Sequence, residues 1–472
     1  GRILIGSTNG LDVLENDRIT SVALLQNIQV NALTMDSYGS VWAATERGLA
    51  RINEAVGTEE LFTKTQGLPT LELTSLTFDK EGSLWLTTSK AGLLRLKDTG
   101  IVTYSEANGL SLDLVNTIAE GNKGELYIGT DGGGIDVFIN GKFAKLDLKH
   151  SLNNIGIRDI CVDKDILWIG SYSGLLRKQG DQEILYNIAS GLPAQDIRRI
   201  LKDKNGDLWL ATRAGGAIVF SNGKVKTSYN KENGLGANYI LSIEQDQNGT
   251  IYLGTNGGGL ALVDTNGNLT THHITDDDSG VLIFNIHIDK QGNIWLVANT
   301  GIFHFDGNHF IQLGLEHQVK GESYFDWVED NAGNVWITTN KGILRIRKDE
   351  AINYIRNKNN PIKTRLYNNY DGMKNKECTG ATRATLASSG EVWIPTIGGA
   401  SVIHPDRIIE NPIIPPVYIT RLITDEQTFQ KSEQTEIKSD NIRYTFQFTS
   451  LSLVAPGQNH FKFMLEGFDK QW

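Results

Sequence analysis

The chain has 472 residues, more than one ordinary domain holds, with 39% hydrophobic residues, 50 Gly and 9 Pro; this balance excludes a disordered chain and suits a folded one with many tight turns. Its formal net charge of -10 disfavours a phosphate-backbone partner, so no nucleic acid is expected to bind. No run of about 18 apolar residues occurs, and the two cysteines, Cys161 and Cys378, fall in different repeats, where they read as small buried hydrophobes rather than a bridge.

From the N-terminus one phrase recurs. "LIGSTNGL" (4–11) is a partial first copy with Leu4 in the place that later copies give to an aromatic. The full copies centre on Trp42, Trp85, Tyr127, Trp168, Trp209, Tyr252, Trp295, Trp336 and Trp393, at successive intervals of 43, 42, 41, 41, 43, 43, 41 and 57. Seven of the nine tryptophans hold this one position, which chance would not arrange. Most copies carry Asp six residues before it, as at Asp36 or Asp330, and Gly three before it, as at Gly39 or Gly333. Thr or Ser follows three residues after, and a second glycine such as Gly48, Gly174 or Gly342 follows that. Asp-x-x-Gly is hairpin chemistry: the carboxylate takes a nearby backbone N–H, and Gly accepts a positive φ. The flanking "LTSLTFD" and "LWLTT" read as strands, and "GLP" or "GL" marks the passage to the next copy.

Four short strands and their turns need roughly 40 residues, the size of a propeller blade. A lone sheet with two apolar faces is unstable; a closed ring buries both faces and protects the edges, whereas an open solenoid would need protected ends. The expected fold class is therefore all-β: four-stranded antiparallel blades in a seven-bladed β-propeller plus part of another, followed by a partial Ig-like β-sandwich. The domain reading is 1–110 for the last blades of a first propeller, 111–409 for the seven-bladed ring, and 410–472 for a linker and the start of the sandwich. The chain opens in mid-pattern and stops at Trp472 before a sandwich could close, so both ends read as cuts.

The 57-residue interval holds "KDEAINYIRNKN" (348–359), where Ile352 and Ile355 at i, i+3 predict a short surface helix ended by Pro361, either a clip on the last blade or a partner-facing element. After Ile409 comes the extended connector "ENPIIPPVYITRL". In "NIRYTFQFTSLSL" and "NHFKFMLEGF", Tyr444, Phe446, Phe448, Phe461 and Phe463 alternate with polar residues, as half-buried strands do.

Catalytic chemistry is thin. The nine histidines lack metal-ligand spacing, "DKNGD" (203–207) lacks the spacing and closing Glu of a calcium loop, and "GTDGGG" and "GTNGGG" lack the Lys-Ser/Thr of a phosphate loop. No paired carboxylates for glycoside hydrolysis stand out. No metal, cofactor or catalytic residue is assigned, and the segment is not expected to be an enzyme. Candidate ligand-binding residues are those that break the repeat. Tyr324 and Trp327 in "GESYFDWVEDNAG" replace small or aliphatic residues and could stack on a sugar ring or fill the core. Asn375, Glu377 and Arg383 form an off-pattern polar set where the last blade begins.

The repeat D-x-x-G-x-[LVI]-W-[IL]-x-T-x-x-G-[LI] resembles the two-component regulator propeller repeat, and "NIRYTFQFTSLSLVAPGQNHFKFMLEGFDKQW" resembles the opening of the triple-tyrosine (Y_Y_Y) domain, with Phe461 and Phe463 where that name leads one to expect tyrosine. The order of parts is similar to the sensor region of bacterial hybrid two-component histidine kinases, common in Bacteroidetes. The resemblance implies a periplasmic sensor region of an inner-membrane receptor that recognises an oligosaccharide or other small polar ligand. It also implies relay through the triple-tyrosine domain to a downstream membrane helix and kinase, and action as a homodimer. A secreted propeller enzyme acting on polysaccharide and a non-catalytic protein-interaction propeller are the alternatives.

Overall fold

In the computed structural model the described residues are 2–53, 57–97, 99–150, 152, 155–315, 322–380, 383–408, 413–424, 428–430, 443–454, 459 and 461–469. The repeat acts first on its own turn. Asp330 accepts the backbone N–H groups of Ala332 and Asn334 on Oδ1, each at 2.9 Å, and on Oδ2 the indole N–H of Trp336 at 2.9 Å. The same carboxylate-to-indole bond joins Asp36 to Trp42 (2.9 Å), Asp79 to Trp85 (2.8 Å) and Asp203 to Trp209 (3.1 Å). The Thr or Ser three residues on donates to the carbonyl of the second glycine, as from Thr339 to Gly342 (2.9 Å) and from Ser171 to Gly174 (3.1 Å). That glycine is required twice over: Gly399 sits at φ 130°, and a Cβ there would run into the Tyr104 carbonyl oxygen on the outer strand.

Two compact units result, 1–98 with 409–472, and Thr99–Ile408. Within Thr99–Ile408 the described residues form seven four-stranded antiparallel sheets, the blades of a β-propeller. The first six run in chain order, from Val115–Glu120 to Arg365–Tyr367. The seventh is Thr385–Leu386, Val392–Thr396 and Gly399–Ile403, completed by Ile101–Tyr104 from the start of the unit. Its register pairs Ile101 with Ile403 and Tyr104 with Ala400, and Tyr104 stacks on Trp393 at 5.6 Å and 9°. The ring thus draws on residues N-terminal to the expected 111–409, because its outermost strand precedes "GLS" rather than following it. Cores lie between neighbouring blades; Trp295, Trp327, Val335 and Ile337, for example, join the fifth to the sixth.

In the other unit, Ile3–Ser7 to Arg18–Ser21 form three strands, Val30–Met35 to Thr58–Phe62 four, and Leu73–Phe78 to Leu93–Leu96 three. A further three-stranded sheet orders Thr428–Gln430, Val417–Thr424 and Tyr444–Ser450. Residues 461–465 are irregular, so the alternation of Phe461 and Phe463 does not make the expected strand. Tyr444, Phe446 and Phe448 do lie on a strand, which remains exposed among the described residues. The predicted helix forms as Lys348–Arg356 and ends at Asn357, ahead of Pro361. It clips the last-but-one blade: Ala351 is buried, with Ile352, Tyr354 and Ile355 packed on the same core.

Candidate binding site at the hub of the ring

In six blades the innermost strand begins with a shift of register, at Val115/Thr117, Ile157/Asp159, Ile197/Arg199, Ile240/Ser242, Ile283/Asn285 and Tyr324/Asp326. Each shift inserts one residue: Asn116, Arg158, Arg198, Leu241, Phe284 or Phe325. Such bulges re-aim the side chains that follow. The next residue in each blade is Thr117, Asp159, Arg199, Ser242, Asn285 or Asp326, and Arg383, bridged to Thr117, holds that place in the seventh.

These residues meet across the ring. Thr117 Oγ1 donates to Asp159 at 3.4 Å, Asp159 accepts the Ile200 N–H at 2.8 Å and lies 3.9 Å from Arg199 Nη1, and Asp326 accepts the N–H groups of Trp327 (2.8 Å) and Ala384 (2.7 Å). Burial pulls the Arg199 guanidinium below its ordinary pKa, opposed by Asp159 and Asp326. Arg383, exposed to solvent yet partly desolvated among the inner strands, is raised, because Asp159, Glu244 and Asp326 outweigh that desolvation. Burial raises the Asp326 carboxyl against the pull of Arg199. It also pushes the Cys161 thiol up to about 11, with Asp159 adding to the effect. Charges from five blades interact in this way only if they converge on the axis. The set is largely self-neutralising.

Before the bulges, at the start of the inner strands, lies a rim. In each blade the residue after the second strand donates its N–H to the carbonyl before the first: Tyr172 to Gly156 (3.4 Å), Arg213 to Asp196 (3.2 Å), Asn256 to Tyr239 (2.9 Å), Ile397 to Glu377 (3.2 Å). From the second to the fourth blade this rim carries Tyr172, Arg213 and Tyr239 beside the bulge residues Arg158 and Arg198. Arg158 Nη1 donates to Tyr172 Oη at 3.3 Å with its guanidinium carbon 5.3 Å from the ring centroid. Arg198 and Arg213 lie 5.1 and 5.9 Å from the Tyr239 centroid. Burial and the neighbouring Arg158 push Arg198 down to about 10. On the opposite half the bulge residues are apolar, with Phe284 and Phe325 edge-on at 5.3 Å. The mouth is therefore cationic and aromatic on one side and apolar on the other.

The structure divides the residues singled out in the sequence. Tyr324 and Trp327 are 1% and 2% exposed, and Trp327 stacks on Trp295 at 4.9 Å and 12°. The bulge turns both toward the fifth blade and Asp326 toward the axis, so they fill an inter-blade core and present no free ring face. Arg383 stands on the axis and keeps solvent access. Glu377 is exposed on the rim of the seventh blade, and Asn375, half-buried beside it, accepts the Glu377 N–H at 3.0 Å. Arg158, Arg198, Tyr172 and Tyr239 were not singled out. Their signal lies in "GIRDIC" and "DIRRIL", where Arg occupies the slot held elsewhere by Asn116, Leu241, Phe284 and Phe325. Among the described residues no group of three or more His, Cys, Asp and Glu is placed to hold a metal ion, and no helix is long and apolar enough to cross a membrane.

Comparison with known proteins adds a local repeat match and a shared fold. Residues 191–214 and 234–257, at the entries to the third and fourth blades, match the two component regulator propeller family. Among solved structures, the extracellular domain of a putative hybrid two component system from B. thetaiotaomicron shares 22% identity at a TM-score of 0.67, over 97% of this chain and 69% of that one. The extracellular domain of a putative one component system from the same organism shares 19% at 0.54, over 94% and 62%. A second structure of that same extracellular domain, there described as part of a putative hybrid two component system, shares 18% at 0.54, over 91% and 59%. The chain thus spans about three fifths to two thirds of these structures, and the likeness is one of fold. No curated protein matches the sequence.

Proposed function

We propose that this chain is the extracytoplasmic, periplasmic ligand-sensing region of a hybrid two-component sensor, not itself catalytic, and that the mouth of the Thr99–Ile408 ring takes an oligosaccharide. The regulator-propeller repeats and the fold shared with extracellular domains of such systems support the sensor role. The observation that carries the ligand reading is the mouth itself. The ring repeats one structural phrase in its turns and blade cores, yet at the hub it sets Tyr172, 39% exposed, and Tyr239 among guanidinium donors. Aromatic faces stack on the apolar C–H faces of sugars while the donors hold hydroxyls. Occupancy would bias the equilibrium of a homodimeric receptor through its differential affinity for two poses, and a triple-tyrosine domain that begins in 410–472 would pass the bias to a kinase.

Calorimetry of the 472-residue chain against neutral and acidic oligosaccharides, with the products analysed, tests this. Saturable heat without turnover is the expected result, weakened at least tenfold by Tyr172→Ala. Turnover would replace the reading with a secreted polysaccharide enzyme. Silence across the panel would leave a protein-interaction propeller.

A further inference from the structure

Arg158 and Arg198 occupy equivalent bulge positions in adjacent blades and are 8% and 9% exposed. Among the described residues neither has a carboxylate within ion-pair distance, and the Nε–H of each is buried without a hydrogen-bond partner. Two neighbouring buried guanidiniums with unused donors are unfavourable unless a counter-charge arrives. The aromatic side chains at this rim shape the place for one. Tyr172 and Tyr239 lie against the guanidiniums, and Arg213 adds a third cation over Tyr239. The acids nearby are Asp196, which acts on Arg198 from a distance, and Asp131, whose Oδ1 accepts from Asn116 Nδ2 at 3.2 Å. Three cations against two acids leave this quarter of the mouth positive in a chain of net charge -10. The planar guanidinium fork, with its Nε–H and Nη–H on one edge, fits an oxyanion bidentately.

We propose that Arg158 and Arg198, walled by Tyr172 and Tyr239, form a subsite for an oxyanion carried by the ligand, a uronate carboxylate or a sulfate ester, so that the glycan sensed is acidic. This rests on the oligosaccharide reading above and narrows it. The bound anion replaces the missing counter-charge, so the subsite is less stable empty than filled.

The test uses the whole 472-residue chain with four probes: tetragalacturonate (carboxylate only), a carrageenan tetrasaccharide (sulfate only), neutral cellotetraose, and inorganic sulfate compared with chloride at equal ionic strength. One of the two acidic glycans should bind at least 100-fold tighter than cellotetraose, and which one names the oxyanion. Arg158→Gln and Arg198→Gln should each weaken it at least 30-fold while leaving the melting temperature unchanged or raised, since each removes an uncompensated charge; an Arg pair with a merely structural role would lower it. Inorganic sulfate should compete with the glycan on the unaltered protein, a measurement that stands even if a variant fails to fold. Cellotetraose binding as tightly as both acidic probes, with no sulfate competition, overturns the oxyanion subsite and leaves the oligosaccharide reading. Arg-dependent stabilisation by sulfate with no glycan bound keeps the subsite and overturns that reading. No response to any probe overturns both.

Discussion

Asp330 shows how much one residue of the repeat holds. Its two oxygens satisfy two turn N–H groups, the Asn334 amide (2.9 Å) and the indole of Trp336, which is 0% exposed. Asp330→Ala would leave a fully buried indole donor unsatisfied and loosen the hairpin. We expect a loss of about 3 kcal/mol, since an orphaned buried donor costs roughly 1–3 kcal/mol and the turn bonds add to it; urea unfolding reads this directly. The turn was legible in the sequence because its chemistry is local: Asp, two residues, Gly. The indole bond was not, although the fixed six-residue spacing to Trp carried it. Tyr324 and Trp327 were overvalued for a related reason. Unusual size at an inner strand marks both pockets and cores, and only the one-residue bulge at Tyr324/Asp326 decides between them.

At the scale of elements, the strand Ile101–Tyr104 matters most. It brings Ile101, 2% exposed, into the core shared with Ile403, joins Thr103 Oγ1 to Ser401 Oγ at 2.9 Å, and lays Tyr104 on Trp393. A chain spanning 105–408 lacks this strand, whereas one spanning 99–408 keeps it. Truncating a buried aliphatic or aromatic side chain costs about 2–5 kcal/mol, so the shorter chain should lose at least about 5 kcal/mol. Its urea midpoint should fall accordingly, and protease should cut the freed edge at Gly399–Ile403. Equal midpoints would refute the role of the strand. Periodicity gave the blades but not their partition, because the "GL" boundary that separates copies in sequence does not coincide with the seam that separates blades in space. The helix Lys348–Arg356 was legible from Ile352 and Ile355, and packing on the sixth blade makes it a clip.

For the whole molecule, acid is the informative stress. In the ring, Glu183 is held down to about 2: burial would raise it, but the N–H of His150 and the Lys178 ammonium at 3.0 Å prevail. Asp113, Glu125, Asp289 and Glu329 are also lowered, all but Glu329 against burial as the largest single influence; for Glu329 the hydrogen bond with His287 leads. A carboxyl depressed by folding contributes stability that is complete above its unfolded pKa and lost as pH falls through the folded one. Asp136 and Asp326, raised by burial, act in the opposite sense and offset part of this. Twelve described carboxyls are lowered in all against these two, so the urea midpoint should fall steadily from about pH 4.5 downward. Glu183→Gln should lower it at pH 7 and converge with the parent near pH 2. A flat midpoint down to pH 3 would contradict this. The long-range pairings were not readable from the sequence, since blade geometry sets them; His150 and Glu183, for example, lie 33 apart, whereas Glu125 and Asp289 draw on partners in their own turns.

The partner surface of Ile101–Tyr104 lies about 300 residues downstream, with Thr103 and Ser401 separated by 298. A ribosome adding 5–20 residues per second leaves that strand waiting roughly 15–60 s before the codons for Gly399–Ile403 are read. Through that interval the nascent chain is an open arc with one unpaired edge at each end. Biosynthesis, more than the finished ring, is where this architecture invites a chaperone.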